Sequence, residues 1–168
     1  MNNKKINFCQ TTVRNKISCK GIGLHSGSQI IMTINPAPFD SGIMFRRLDV
    51  PTKKSLIPAR FDAVCETNLG TTIGNEYGVT VATIEHLMAA LWGVGIDNAR
   101  IELDGAEVPI MDGSSEPFVF MLECAGITTL DAPRRMILER EAAVPSPAQA
   151  PAPASANPQS NTPATATP

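Results

Sequence analysis

The chain has 168 residues and a formal net charge of −2, with 43% hydrophobic, 18% charged and 5% aromatic residues. That length holds one domain, or a domain with a tail, and the composition excludes a fully disordered chain. The acidic balance and scarce aromatics disfavour a nucleic-acid surface, which needs a basic footprint or base-stacking rings.

The N-terminus carries Lys4 and Lys5 without an apolar run behind them, so no export signal is read. No segment reaches the roughly 18 apolar residues of a membrane span. Cys9, Cys19, Cys65 and Cys124 are scattered with no CxxC spacing. A cytoplasmic protein with free thiols is therefore expected.

Along the chain, Gly21–Gly27 (GIGLHSG) lacks the Lys-Ser/Thr of a phosphate loop and is read as a tight turn, with His25 a structural histidine ahead of a metal ligand or a substrate contact. Gln29–Asn35 alternates like a strand and ends at Pro36-Ala37-Pro38. Gly42–Arg46 is read as its hairpin partner across Asp40-Ser41-Gly42. Thr71–Ile73 and Val79–Val81 flank Gly74–Gly78 as a second hairpin. Asn98–Leu103 alternates up to an Asp104-Gly105 turn.

Two helices are predicted. In the first, 84–92, Ile84, Leu87, Met88 and Leu91 form the core stripe, and Gly93 and Gly95 stop it. In the second, Ser114 or Ser115 caps, Pro117 opens the first turn, and Phe118, Met121, Leu122 and Ala125 face inward, with Gly126 past the end. Strands with two interspersed helices make the fold α+β, a two-layer α/β sandwich. From Val144 to Pro168 no charged or aromatic residue occurs, and those 25 residues hold 7 of the 14 prolines and 7 alanines. Such a segment buries too little to offset its ordering entropy and is expected to be a disordered tail. No arginine-flanked PxxP marks it as a ligand for a partner domain.

The chemistry concentrates on the first helix. Its back carries Glu85, His86, Ala89 and Ala90 where a surface helix shows lysines and glutamates. Coverage on both sides is expected, with Glu85 and His86 at the edge of a cleft. One reading makes His86 a zinc ligand and Glu85 the base for a zinc-activated water. The other makes Glu85 a partner of the helix dipole and His86 a local hydrogen-bonding group. Asp112 is read as binding backbone amides at the strand-to-helix turn.

GIGLHSG (Gly21–Gly27), NPAPFDSGIMFRR (Asn35–Arg47), TIEHLMAAL (Thr83–Leu91), GIDNARIE (Gly95–Glu102) and VPIMDGSSEPFV (Val108–Val119) occur in this order. Together, over about Thr11–Arg140, they resemble the UDP-3-O-acyl-N-acetylglucosamine deacetylase family of lipid A biosynthesis. That family is similar in build to two fused α/β sandwiches with the active site between them. The resemblance implies that His86 is a zinc ligand and Glu85 the general base. The Thr67–Thr71 stretch matches a family loop beside metal and substrate, which makes Thr67 and Leu69 substrate contacts, although Asn68 and Gly70 depart from the family pattern. The family's other zinc ligands (in an HKxxD-like motif), its general-acid histidine and most UDP contacts belong to the second sandwich and have no counterpart here.

The expected division is a flexible 1–10, the first sandwich over 11–133, the start of a missing second domain over 134–143 with its opening strand at Arg135–Arg140, and the tail over 144–168. The implied activity is zinc-dependent hydrolysis of the acetamide of UDP-3-O-acyl-N-acetylglucosamine, with one zinc ligand in this chain. The alternative is a truncated remnant or interaction module that pairs with a second-half chain, or with itself, through the cleft face.

Overall fold

The alternation of Gln29–Asn35 puts Ile30, Met32 and Ile34 on one face and Thr33 and Asn35 on the other, and the fold uses that division throughout. The structure, a computed structural model, describes residues 8–135. Its strands are β1 (Cys9–Val13), β2 (Ile17–Ile22), β3 (Gln29–Asn35), β4 (Ile43–Arg47), β5 (Leu56–Pro58), β6 (Val64–Glu66), β7 (Thr72–Gly74), β8 (Thr80–Val81), β9 (Ala99–Leu103) and β10 (Ile127–Pro133). Helix α1 spans Glu85–Val94 and α2 spans Glu116–Ala125. The expected Ala/Pro-rich tail lies outside the described residues.

The main sheet has the order β2-β3-β9-β4-β5, antiparallel except for the parallel pair β4–β9. Register aligns Ile17, Ile34, Ile101, Phe45 and Ile57 in one row across all five strands. The last four are fully buried. Leu87, Ala90 and Leu91 of α1 and Phe118, Met121, Leu122 and Ala125 of α2 join the same core. Burying each large aliphatic or aromatic side chain stabilises by about 1.5–3 kcal/mol, so this row anchors the two layers. The opposite face is exposed and mixed: Ile31 and Leu56 lie on it beside the Ser18 and Thr33 hydroxyls, which are 2.8 Å apart, and Arg46 and Arg100, which both pair with Glu102. The fold is an α+β two-layer sandwich. A two-stranded sheet, β1-β10, and a three-stranded one, β6-β7-β8, complete the described part.

The expected pairing of Gln29–Asn35 with Gly42–Arg46 is not formed. β9 lies between β3 and β4. The connection 36–42 is a crossover, not a turn, and it is pinned on its way. The Ala37 amide donates to Thr12 Oγ1 (3.0 Å), the Asp40 amide to Gln10 Oε1 (2.9 Å) and the Gly42 amide to Asn98 Oδ1 (2.9 Å). Buried Gln10 and Asn98 satisfy each other as well, at 2.9 Å. The chain therefore passes one strand width before β4 begins. The 72–74/80–81 hairpin does form.

Strand β1 begins at Cys9, inside the segment expected to be a flexible N-terminus, and Gln10 is buried. At the other end, the Arg134 guanidinium bonds Asp97 (2.8 Å) and the Gly95 carbonyl (2.9 Å). α1 runs past Gly93 and stops at Gly95, which takes the left-handed φ of 86° and returns its N–H to Leu91 O. Ala90, expected on the back of α1, is buried in the core because it follows Leu87 by three residues on the same stripe. On α2, Ser114 Oγ accepts the Glu116 amide at 3.1 Å. All four cysteines are free. Among the described residues no helix is long and apolar enough to cross a membrane.

Candidate active site

Four segments meet at the N-terminal end of α1. Residues 82 and 107 form a parallel bridge, with the Ala82 amide on Ala106 O (2.9 Å) and the Val108 amide on Ala82 O (3.0 Å). The Ile84 amide reaches Thr71 O at 3.4 Å, and the Ile110 amide reaches Ile22 O at 2.9 Å. The loop before β7, the start of α1, the 106–113 segment and the end of β2 are thus laced together by backbone. Three non-glycine residues here adopt left-handed backbone: Leu69 (φ 58°), Thr83 (φ 58°) and Met111 (φ 56°). Such conformations persist only where surroundings enforce them, and they cluster at functional sites.

Glu85 is the first residue of α1 and is half-buried. Its Oε2 accepts the Thr71 amide at 3.0 Å, which fixes the carboxylate against the 67–71 loop. Glu85 also lies in the first turn, where the helix dipole favours an acid. His86 follows, half-buried, and its Nδ1 is buried with no hydrogen-bond partner among the described residues. The local hydrogen bond that the structural reading gave His86 is not made by that nitrogen. A buried unpaired nitrogen costs about 1–3 kcal/mol, so it calls for an explanation.

Asp112 faces the same end of the helix. Its Oδ1 accepts the Ser114 amide (2.9 Å) and hydroxyl (2.8 Å), as expected of a turn aspartate. Those bonds outweigh partial desolvation and, with a smaller contribution from the charge of His86, hold the carboxyl below its ordinary range. A groove of about 740 Å³ lies between the 21–27 turn and the 110–117 segment, with Asp112 and Lys20 in its wall.

The structure also gathers residues the sequence did not mark as a site. At Gly70, a Cβ would stand 3.2 Å from Glu85 Oε1, 3.7 Å from His25 Nε2 and 3.9 Å from Thr83 Oγ1. Three polar atoms from three segments therefore converge on one point beside Gly70. His25 was read as structural, yet its residue is exposed and its ring makes no hydrogen bond among the described residues. Behind it, buried Glu107 accepts the His25 amide (2.9 Å), the Ser26 amide (3.0 Å) and the Thr83 hydroxyl (3.0 Å). Burial alone would raise the Glu107 carboxyl, but these donors win and hold it below the usual glutamate range. The available signal was an acid flanked by Ala106, Val108 and Pro109. Thr67 and Leu69 are exposed in the loop that contacts Glu85, and Leu69 is 88% exposed.

Comparison with known proteins bears on this arrangement. The sequence model of one family, described as UDP-3-O-acyl N-acetylglycosamine deacetylase, matches residues 10–166. The chain belongs to that family. The UDP-3-O-acyl-N-acetylglucosamine deacetylase of Hahella chejuensis (strain KCTC 2396) is 50% identical over 136 residues, which is 80% of this chain and 44% of the relative. That of Pseudoalteromonas atlantica is 47% identical, over 79% of this chain and 43% of its own length. That of Myxococcus xanthus is 48% identical, over 80% and 42%. The chain therefore spans less than half the length of these curated relatives. The family match continues past Arg140, where the motif resemblance ends, into the Ala/Pro-rich segment.

For a metal, the described residues offer a mixed donor set. His86, with its orphaned buried nitrogen, suits one zinc ligand. Among the described residues, no group of three or more His, Cys, Asp or Glu side chains could hold an ion.

Proposed function

We propose that this chain contributes the base-bearing half of a zinc-dependent deacetylase site that hydrolyses the acetamide of UDP-3-O-acyl-N-acetylglucosamine to a free amine and acetate. The observation that carries the reading is the adjacency of a half-buried carboxylate, fixed by the Thr71 amide, and an imidazole with an unpaired buried nitrogen. Family membership supports the substrate class.

In this reading His86 is one zinc ligand, and the other donors come from outside the described residues. Zinc, when bound, supplies Lewis acidity, which acidifies a water and polarises the amide carbonyl. Glu85 Oε1, the oxygen not engaged by Thr71, accepts the water proton; its partner oxygen keeps the carboxylate from rotating away. The His25 imidazole and the Thr83 hydroxyl border the same space and orient what enters it. Thr67 and Leu69, on the exposed loop, contact the sugar nucleotide. Reaction would take place in the cytoplasm, with a second-half chain or a second copy completing the site.

A second reading is a non-catalytic module that pairs through the cleft face; it draws on the lack of a complete metal-ligand group among the described residues. Zinc binding by a chimera, in which residues 10–135 replace the matching segment of a full-length family relative, separates the two. The deacetylase reading predicts zinc binding that His86→Ala weakens at least about tenfold, because a direct ligand is removed. Equal affinity in the two chimeras would remove His86 from the metal site and favour the module.

A further inference from the structure

Glu107 is 3% exposed, and among the described residues none of the ion pairs includes it. A buried carboxylate without a cation is retained only where dipoles satisfy it fully. Here its Oε1 takes the His25 amide and the Thr83 hydroxyl, while Oε2 takes the Ser26 amide. These donors come from two turns, 21–27 and 82–84, that are far apart in sequence. A Cβ at Gly23 would stand 2.3 Å from Glu107 Oε2, so the turn is built to admit this carboxylate closely.

We propose that Glu107 is a positioning residue: it ties the His25 turn to the Thr83 turn so that His25 Nε2, Thr83 Oγ1 and Glu85 Oε1 border the same space at Gly70. The proposal rests on the reading of Glu85 as the base, since otherwise the aligned groups have nothing to act on. A neutral amide cannot replace the carboxylate. Whichever way a glutamine side chain turns, its NH2 faces either the Ser26 amide or the two donors at Oε1. The left-handed Thr83, held at φ 58° one residue before Ile84, then loses its anchor. A displacement near 1 Å at such a site lowers turnover on the order of 10²-fold.

The test is NMR on the full chain, whose two histidines make ring signals easy to assign. Wild type is expected to show a cross-peak between the His25 ring and Gly70 Hα. In Glu107→Gln that peak is lost and the His25 and Ser26 amides exchange at least about tenfold faster. Cross-peaks between Phe45 and Ile101, neighbours in the main sheet, keep their intensity. The proposal is overturned if the His25–Gly70 peak survives in the variant, or if it fades only together with the Phe45–Ile101 peaks. Should Glu107→Gln not fold, Thr83→Val, which removes one donor and keeps the side-chain shape, carries the test. It is expected to weaken the same peak with the core intact, and an unchanged peak overturns the proposal. The role of Glu85 as the base is read by turnover and not by these signals, so failure of the deacetylase reading and failure of the positioning role register separately.

Discussion

At Glu107, charge and fold stability are linked. Its folded-state carboxyl lies below the ordinary glutamate range because the His25 and Ser26 amides and the Ser26 and Thr83 hydroxyls outweigh burial. A lowered pKa contributes stability that is fully present above the unfolded value, near pH 4, and is lost as pH falls through the folded value. Wild type should therefore lose Tm on acidification below about pH 4, and Glu107→Gln should show a shallower acid limb. Asp49 keeps part of that limb in both proteins, because the hydrogen-bonded Arg47 guanidinium holds its carboxyl low. Parallel Tm curves would show that Glu107 is not the linked group. Glu85 and His86 were legible in the sequence because they interrupt a small, apolar helix back with the two residue types that hydrolytic chemistry uses. Glu107 was not, since its partners His25 and Thr83 lie 82 and 24 residues away and only the fold joins them.

At the scale of the elements, α1 separates core from open face within two adjacent residues. Leu91 is 1% exposed and Trp92 is 86% exposed. Leu91→Ala should destabilise the full chain by about 2–5 kcal/mol through the cavity it leaves. Trp92→Ser should change stability by less than about 0.5 kcal/mol. Urea unfolding measures both, and a large loss at Trp92 would mean that a surface beyond the described residues already covers it. The back of α1 was expected to be covered, but Ala89, Trp92 and Gly93 are exposed in the described unit. Helix positions were readable because the 3.6-residue stripe is local. The partner of β4 was not, because alternation states which face of a strand is buried and nothing about its neighbour. The polar clasp of Gln10, Asp40 and Asn98 decides it, and those residues lie on three separate segments.

At the scale of the described unit, the fold is a sandwich whose chemistry-bearing edge carries Glu85 and His86, with no complete metal-ligand group among the described residues. The chain spans 42–44% of the length of the curated relatives it matches. The measurement that tests the deacetylase reading most directly is deacetylation of UDP-3-O-acyl-N-acetylglucosamine by a chimera. In it, residues 10–135 of this chain replace the matching segment of a full-length family relative. The account predicts turnover by the chimera that a chelator abolishes and that Glu85→Gln lowers by roughly 10²–10⁴-fold, the usual contribution of a positioned general base. A folded chimera with no turnover, or one whose turnover Glu85→Gln leaves unchanged, would contradict it.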